Sequence, residues 1–323
     1  MINKAGIKKI GILTRDCAGI NATIRAVVRS ASKCNVKTVG IYKGYEGLID
    51  AEFVDLNRRS VSGIINLGGS MLKTARSKRF RKAKERKKAV KNLKKENIDG
   101  LIVVGGNGSL TGAHILFKDY SFPVIGVPAT IDNDVNGVGM SVGADTAINV
   151  ALDALDKIRD TATSLERIFI VEVMGRECGY IALRVALAGG CEEVLLPERS
   201  ANLKKICKDI SAAHKKGKMT WIIVVAEGKA KAVDVGKMIT DTIGLETREV
   251  VLGHIQRGGS PTAFDRILAA RYGNHAVKML LRGEKGKCVT LKNEKLATIP
   301  LRQAIKTKDI EAGDYYQLIK ILT

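Results

Sequence analysis

The sequence predicts an α/β protein of two doubly wound, Rossmann-like lobes with mainly parallel sheets. Three observations carry this. Short apolar runs alternate with amphipathic stretches along the whole chain. Several runs end directly in glycine-rich or Asx-rich segments, as strands do when they lead into helix N-termini. The alternation starts afresh near Ala144, and 323 residues suffice for two cores.

Taken in order, residues 10–13 (IGIL) read as a strand and residues 21–33 as a helix with apolar positions at helical spacing. Residues 36–42 form the next strand. A helix ends over residues 90–96, and a buried strand over 100–104 runs into glycines. Residues 124–127 are a further strand. The second series has strands at 168–173, 193–196 and 221–226. There is no short-period repeat and no long linker, so the lobes are expected either to pack closely or to share crossing segments.

The net formal charge is +21, while aromatic residues make up only 4%. Such a balance suits anionic metabolites, nucleic acid or simply a basic surface. Residues 73–95 hold Arg76, Lys78, Arg79, Arg81, Lys82, Lys84, Arg86, Lys87 and Lys88. Their spacing predicts a solvated basic helix face. No series of aromatics is interleaved and no nucleic-acid motif accompanies the charge, so nucleic acid is not the expected partner. No apolar run is long enough for a bilayer. The first ten residues carry three lysines, but residues 6–13 read as a strand and no cleavage site follows, so no signal peptide is expected. The six cysteines show no C-x-x-C spacing, and reduced thiols in a cytoplasmic protein are expected.

Three segments sit where ligands bind in parallel sheets, at strand carboxyl ends beside helix starts. Residues 105–109 read Gly-Gly-Asn-Gly-Ser, a turn that lets backbone N–H groups approach phosphate oxygens. By itself it is equally a plain tight turn. Residues 128–134 read Pro-Ala-Thr-Ile-Asp-Asn-Asp, a hydroxyl and two carboxylates suited to proton abstraction beside a phosphate and a metal, or to an Asx turn. Residues 174–179 read Met-Gly-Arg-Glu-Cys-Gly, and farther on residues 253–261 bring His254 and Arg257, which together could bind an anion.

In this order and spacing the four segments resemble the 6-phosphofructokinase family, over nearly the whole chain from about Lys9. The resemblance implies transfer of the γ-phosphoryl of ATP to the 1-hydroxyl of fructose 6-phosphate, with Mg2+. Asp132 then matches the catalytic base, flanked by Thr130 and Asp134, and Arg176 and Arg76 match arginines that meet the transferring phosphoryl group. Met174, Gly175, Arg176 and Glu227 match sugar contacts, and Arg167, Arg248, His254 and Arg257 match the 6-phosphate cradle. Arg167 and Arg248 would come from a neighbouring subunit, so a homotetramer is implied. Arg15, Tyr45, Arg76, Ser77, Gly106, Asn107, Gly108 and Ser109 fall on the nucleotide side, with Asn107 and Asp134 toward the metal. Arg25, Arg29, Arg58, Arg159, Gly190, Glu192, Lys216 and Lys218 match an effector site for ADP or phosphoenolpyruvate, although Met219 replaces a usual lysine. The implied lobes are residues 1–143 with 256–306, for the nucleotide, and 144–255 with 307–323, for sugar phosphate and effector.

Gly108 stands where pyrophosphate-using members carry Asp, which favours ATP, although Ala129 fits neither group. Two departures fall on the nucleotide half. The first loop, Thr14-Arg15-Asp16-Cys17-Ala18-Gly19-Ile20-Asn21, is two residues shorter than the family's and lacks its paired glycines. Arg15 could contact phosphate with its own guanidinium instead. Asn107 replaces an Asp tied to magnesium, so metal binding should weaken. A catalytically impaired paralogue that binds sugar phosphate or effector as a regulatory subunit is therefore the alternative. A pyrophosphate-dependent enzyme ranks behind both.

Overall fold

A computed structural model describes residues 3–323; the first two residues of the expected first lobe lie outside it. The strands are β1 (Lys9–Thr14), β2 (Lys37–Ile41), β3 (Phe53–Leu56), β4 (Gly100–Gly105), β5 (Val124–Pro128), β6 (Ile168–Val173), β7 (Glu193–Leu195), β8 (Trp221–Ala226), β9 (Thr247–Val251), β10 (Lys287–Lys292) and β11 (Lys295–Pro300). The chain divides into two compact units, residues 1–146 with 257–308 and residues 147–256 with 309–323. It is an α/β protein with mainly parallel sheets, as the sequence predicts.

The first unit holds a seven-stranded sheet in the order β11-β10-β5-β4-β1-β2-β3. From β2 to β10 across the middle the pairing is parallel, and the two edge strands β3 and β11 run antiparallel. β4 is buried at every residue, and so reads as a continuous apolar run rather than an alternating one. Its register brings Val103 beside Leu13 of β1 on one side and beside Gly126 of β5 on the other. The helix Ile20–Ser32 buries Ile20, Ile24, Val27, Val28 and Ala31, one stripe at helical spacing. It packs on the helix Ala263–Leu281, where a Cβ on Gly273 would stand 2.8 Å from Ala26 Cβ and 3.0 Å from the Thr23 carbonyl. Only glycine allows that approach. A core of Leu13, Val39, Ile41, Leu48, Leu101 and Leu116 fills one face of this sheet.

The second unit holds a four-stranded, wholly parallel sheet in the order β7-β8-β6-β9. Ile168, Ile170, Ile223, Val225, Ile206 and Ile239 build its core. The strands at 53–56, 247–251, 287–292 and 295–300 were not expected from the sequence. β9 is half exposed and carries charge, and β3 and β11 are edge strands with little burial, so none presents a long apolar run.

The basic segment 73–95 is helical only from Ala83 to Lys95, which corrects the expectation of one basic helix face. Lys73 has a positive φ of 55°, and Arg79–Arg81 is an isolated single turn. There Phe80 stacks on Tyr45 with ring centroids 4.1 Å apart, while Arg79 bonds Asp50, Glu85 and Glu46. Anchoring one aromatic ring in the core at this point interrupts the helical run. From Ala83 on, Ala89, Val90 and Leu93 face inward and the lysines face water, as expected. Among the described residues no helix is long and apolar enough to cross a membrane. All six cysteines are free thiols.

Candidate active site

The first unit's sheet reverses its winding between β1 and β4. The chain leaves β1 toward β2 on one side and returns as β4 on the other. In such sheets ligands bind outside the carboxyl ends at this switch point. The loops after β1, β4 and β5 meet here. The Arg15 amide donates to the Val104 carbonyl at 3.1 Å, and the Ala129 amide to the Gly105 carbonyl at 3.1 Å.

After β4, Gly106 leads into the helix Asn107–Tyr120, whose first N–H groups favour an anion. A Cβ on Gly106 would lie 3.0 Å from Thr130 Cβ, so glycine lets this turn close against the β5 loop. A Cβ on Gly108 would meet nothing within 4 Å, which leaves open space at the helix start. Ser109 is buried, and its carbonyl accepts the Tyr45 hydroxyl at 2.7 Å. Burial pushes the Tyr45 phenol well above its ordinary pKa, with the Arg15 charge opposing, so it stays a neutral donor.

The β5 loop is held from within. Ser141 Oγ donates to the Thr130 carbonyl at 2.7 Å, and its amide donates to Asn133 Oδ1 at 2.9 Å. Lys308 Nζ donates to the carbonyls of Asn133 and Val138, at 2.9 and 2.8 Å. On this frame Thr130 Oγ1 donates to Asp132 Oδ2 at 3.3 Å, and Asp132 is 2% exposed. Asn107 Nδ2 donates to Asp134 Oδ2 at 2.8 Å and to the Asp134 carbonyl at 3.1 Å. Asn107 Oδ1 is buried and has no hydrogen-bond partner among the described residues.

The short loop after β1 is strapped to the segment that carries Arg76 and Ser77. Arg15 Nη1 donates to the Ala75 carbonyl at 2.6 Å, and Thr14 Oγ1 lies 2.8 Å from Ser70 Oγ. Asn21 donates to the carbonyls of Leu67 and Gly68, both at 3.1 Å, and accepts from the Met71 amide at 2.8 Å. Arg76 itself is exposed, and Ser77 Oγ caps the following turn by accepting from the Phe80 amide at 3.1 Å. Burial pushes the Cys17 thiol well above its usual range. The carboxylates of Asp265, Asp16 and Asp132 push it further, against the pull of Arg257. Arg257 Nε is buried and has no hydrogen-bond partner among the described residues.

Asp265 and Asn21 carry no assigned role in the sequence, yet both hold the site together. Asp265 accepts from the amides of Gly143 and Thr146 at 2.9 and 2.8 Å and from Thr146 Oγ1 at 2.5 Å. Its place at a helix start, three residues after Thr262, was the available signal.

In the second unit, β6 ends at Met174-Gly175-Arg176. Gly175 and Arg176 have positive φ, 149° and 53°. Glu227 Oε1 accepts both amides, at 3.1 and 2.8 Å, and so holds an unusual turn in one shape. Gly228 lets the same strand end approach, since a Cβ there would be 2.0 Å from the Arg176 carbonyl. The Met174 amide donates to Gln256 Oε1 at 2.8 Å, and Gln256, fully buried, anchors the turn Gly253–Arg257 on which His254 is exposed. Arg167 and Arg248 are not brought to this turn. They sit at the amino ends of β6 and β9, so the length of β6, about 20 Å at 3.3 Å per residue, separates Arg167 from Met174. Both bond Glu246.

The effector candidates fall in two groups. Arg25 and Arg29 lie one turn apart on the helix Ile20–Ser32, and Arg58 is exposed after β3. In the second unit Arg159 donates to the Gly189 and Gly190 carbonyls. Glu192 pairs with Lys218 at 3.0 Å and accepts the Ile222 amide at 2.7 Å, while Lys216 is exposed.

Comparison with known proteins bears on the whole chain. The phosphofructokinase family model matches residues 9–280. The ATP-dependent 6-phosphofructokinase of Bacillus subtilis is 48% identical over 98% of this chain and 100% of its own length, and that of Thermotoga neapolitana is 46% identical with the same coverage. Among solved structures, the phosphofructokinase of Saccharomyces cerevisiae superposes with a TM-score of 0.86 at 34% identity, over 92% of this chain. This chain spans 45% of the yeast chain's length. A pyrophosphate-dependent phosphofructokinase from Marinobacter aquaeolei, 23% identical with a TM-score of 0.84 over 97% of this chain and 91% of that one, shares the fold. With a family match over most of its length and full-length relatives of nearly half identity, the chain belongs to the phosphofructokinase family.

Proposed function

We propose that the protein transfers the γ-phosphoryl group of ATP to the 1-hydroxyl of fructose 6-phosphate, giving fructose 1,6-bisphosphate in the cytoplasm. The observation that carries this is the junction of β4 and β5. Thr130 packs against the Gly106 turn that opens an anion-favouring helix, and its hydroxyl donates to a buried carboxylate, Asp132. Phosphoryl transfer asks mostly for positioning and charge neutralisation. Asp132 takes the proton of the attacking hydroxyl, and Thr130 orients it. Arg76 and Arg176 stabilise the charge of the transferring group. Met174, Gly175 and Glu227 hold the sugar, and Arg257, His254, Arg167 and Arg248 hold its 6-phosphate. The first unit is then the nucleotide lobe, with Arg15, Tyr45, Ser77, Gly106, Asn107, Gly108 and Ser109 around the nucleotide, and the second the sugar-phosphate and effector lobe. The open space at Gly108 supports ATP over pyrophosphate. That Arg167 and Arg248 lie a strand's length from Met174 supports a homotetramer in which a neighbour completes the cradle. Arg25, Arg29, Arg58, Arg159, Gly190, Glu192, Lys216 and Lys218 would bind ADP or phosphoenolpyruvate.

Magnesium would be held by Asp134 and Asn107. The buried, unpartnered Asn107 Oδ1 beside the Asp134 carboxylate fits an ion that takes most of its ligands from phosphate and water. Among the described residues no group of three or more His, Cys, Asp or Glu is placed to hold a metal. Held by Asp134 and Asn107, such an ion would supply charge neutralisation at the nucleotide phosphates.

The alternative reading is an impaired paralogue that binds sugar phosphate or effector. It is favoured by one observation: the Asn107 amide and the Arg15 backbone amide are both bonded within the protein. Fructose 1,6-bisphosphate formation measured with ATP, and separately with pyrophosphate, decides between the readings. The expected result is product with ATP and none with pyrophosphate. Asn107→Asp restores a carboxylate at the metal end, and the magnesium concentration for half-maximal rate is expected to fall about tenfold. No rate before or after the change would support the paralogue.

A further inference from the structure

The two arginines at the amino ends of β6 and β9 are arranged around a single carboxylate. In the parallel register, Ile168 of β6 stands beside Thr247 of β9. The residues just before them, Arg167 and Glu246, are therefore neighbours, and Arg248 follows two positions after Glu246. Glu246 Oε2 accepts from Arg167 Nε at 2.9 Å, and Glu246 Oε1 pairs with Arg248 Nη2. Arg248 Nη1 also donates to the Thr247 carbonyl at 3.2 Å. The three side chains keep 29%, 51% and 47% of their surface in contact with solvent, for Arg167, Glu246 and Arg248. Two guanidiniums that converge on one acid, each on its own oxygen, make a site shaped for a tetrahedral or planar oxyanion.

We propose that Glu246 is a built-in counter-anion of this arginine pair, which a phosphate monoester must displace, so that Glu246 sets the affinity for the phosphorylated sugar. The inference rests on the reading of Arg167 and Arg248 as ligands of the 6-phosphate. An exposed carboxylate–arginine contact contributes little net free energy, and a phosphate dianion brings twice the charge with the same two-pronged geometry. The exchange is therefore feasible. It is also opposed, because Glu246 remains nearby as a like charge after it swings away. Gln at this position keeps the length and one acceptor oxygen but removes the charge. Glu246 acts through the arginines and touches no reacting atom, so it is a positioning residue.

The test is calorimetric binding of fructose 6-phosphate to the full-length protein in its native assembly, with kcat measured alongside. Glu246→Gln is expected to bind about fivefold more tightly and to lower KM for fructose 6-phosphate by the same factor, with kcat and the KM for ATP unchanged. Arg167→Ala and Arg248→Ala are expected to weaken binding more than tenfold. If both arginine variants weaken binding but Glu246→Gln binds equally or less well, Glu246 only braces the arginines and the proposal is overturned. If neither arginine variant changes binding, the pair is not a phosphate ligand, and the underlying reading fails together with the proposal. A melting temperature for Glu246→Gln within a few degrees of the parent separates either result from misfolding.

Discussion

Asp132→Asn is expected to lower turnover by roughly two to four orders of magnitude, the range for loss of a general base. The side chain is nearly isosteric, so the loop should keep its shape. Ser141, Asn133 and Lys308 hold that loop through hydrogen bonds of their own. What changes is basicity, since an amide cannot accept the hydroxyl proton. Binding of fructose 6-phosphate should persist in the variant, because the phosphate ligands are untouched. Measuring rate and binding on the same preparation separates the two effects. An unchanged rate in Asp132→Asn would remove Asp132 from the mechanism. A parent protein with no rate to lose, but with intact sugar-phosphate binding, would point to the paralogue.

Arg257→Ala should weaken fructose 6-phosphate binding by about 10- to 150-fold, or about 1.5–3 kcal/mol, the usual cost of losing a hydrogen bond to a charged group. Its Nε is buried without a hydrogen-bond partner among the described residues, an arrangement that proteins seldom leave unanswered. A phosphate oxygen answers it. Because that donor has no protein partner to strand, stability should change little, and a denaturant titration checks this. Arg257→Lys keeps the charge but not the forked geometry and should recover only part of the affinity. Equal binding by Arg257→Ala and the parent would sink the assignment of Arg257 to the cradle.

The α/β alternation, the central strands and the three ligand loops were legible because each rests on local chemistry. β4 and β6 are buried on both faces, so their apolar runs stand out. Gly106 and Asp132 were legible as loop residues at strand ends. Tyr45 and Ser77 were not, since nothing local marks them, and Arg76 was visible only as one of a basic run; their roles entered through resemblance to a known family.

By itself the sequence determined the fold class, the order of the central strands along the chain and the chemical identity of the loops after β4, β5 and β6. Tertiary structure alone decided which distant groups meet. That Asn107 points its amide at Asp134, that Arg15 reaches the Ala75 carbonyl, and that Glu246 gathers Arg167 and Arg248 follow from strand register and loop closure across many residues. The edge strands β3 and β11 belong with these. Half-exposed strands need little hydrophobic pattern once a neighbour offers hydrogen bonds, so pairing rather than composition specified them. Helix propensity likewise lost to packing at Phe80, where the Tyr45 ring fixed one residue and stopped a run of basic helix formers short of the length its spacing had predicted.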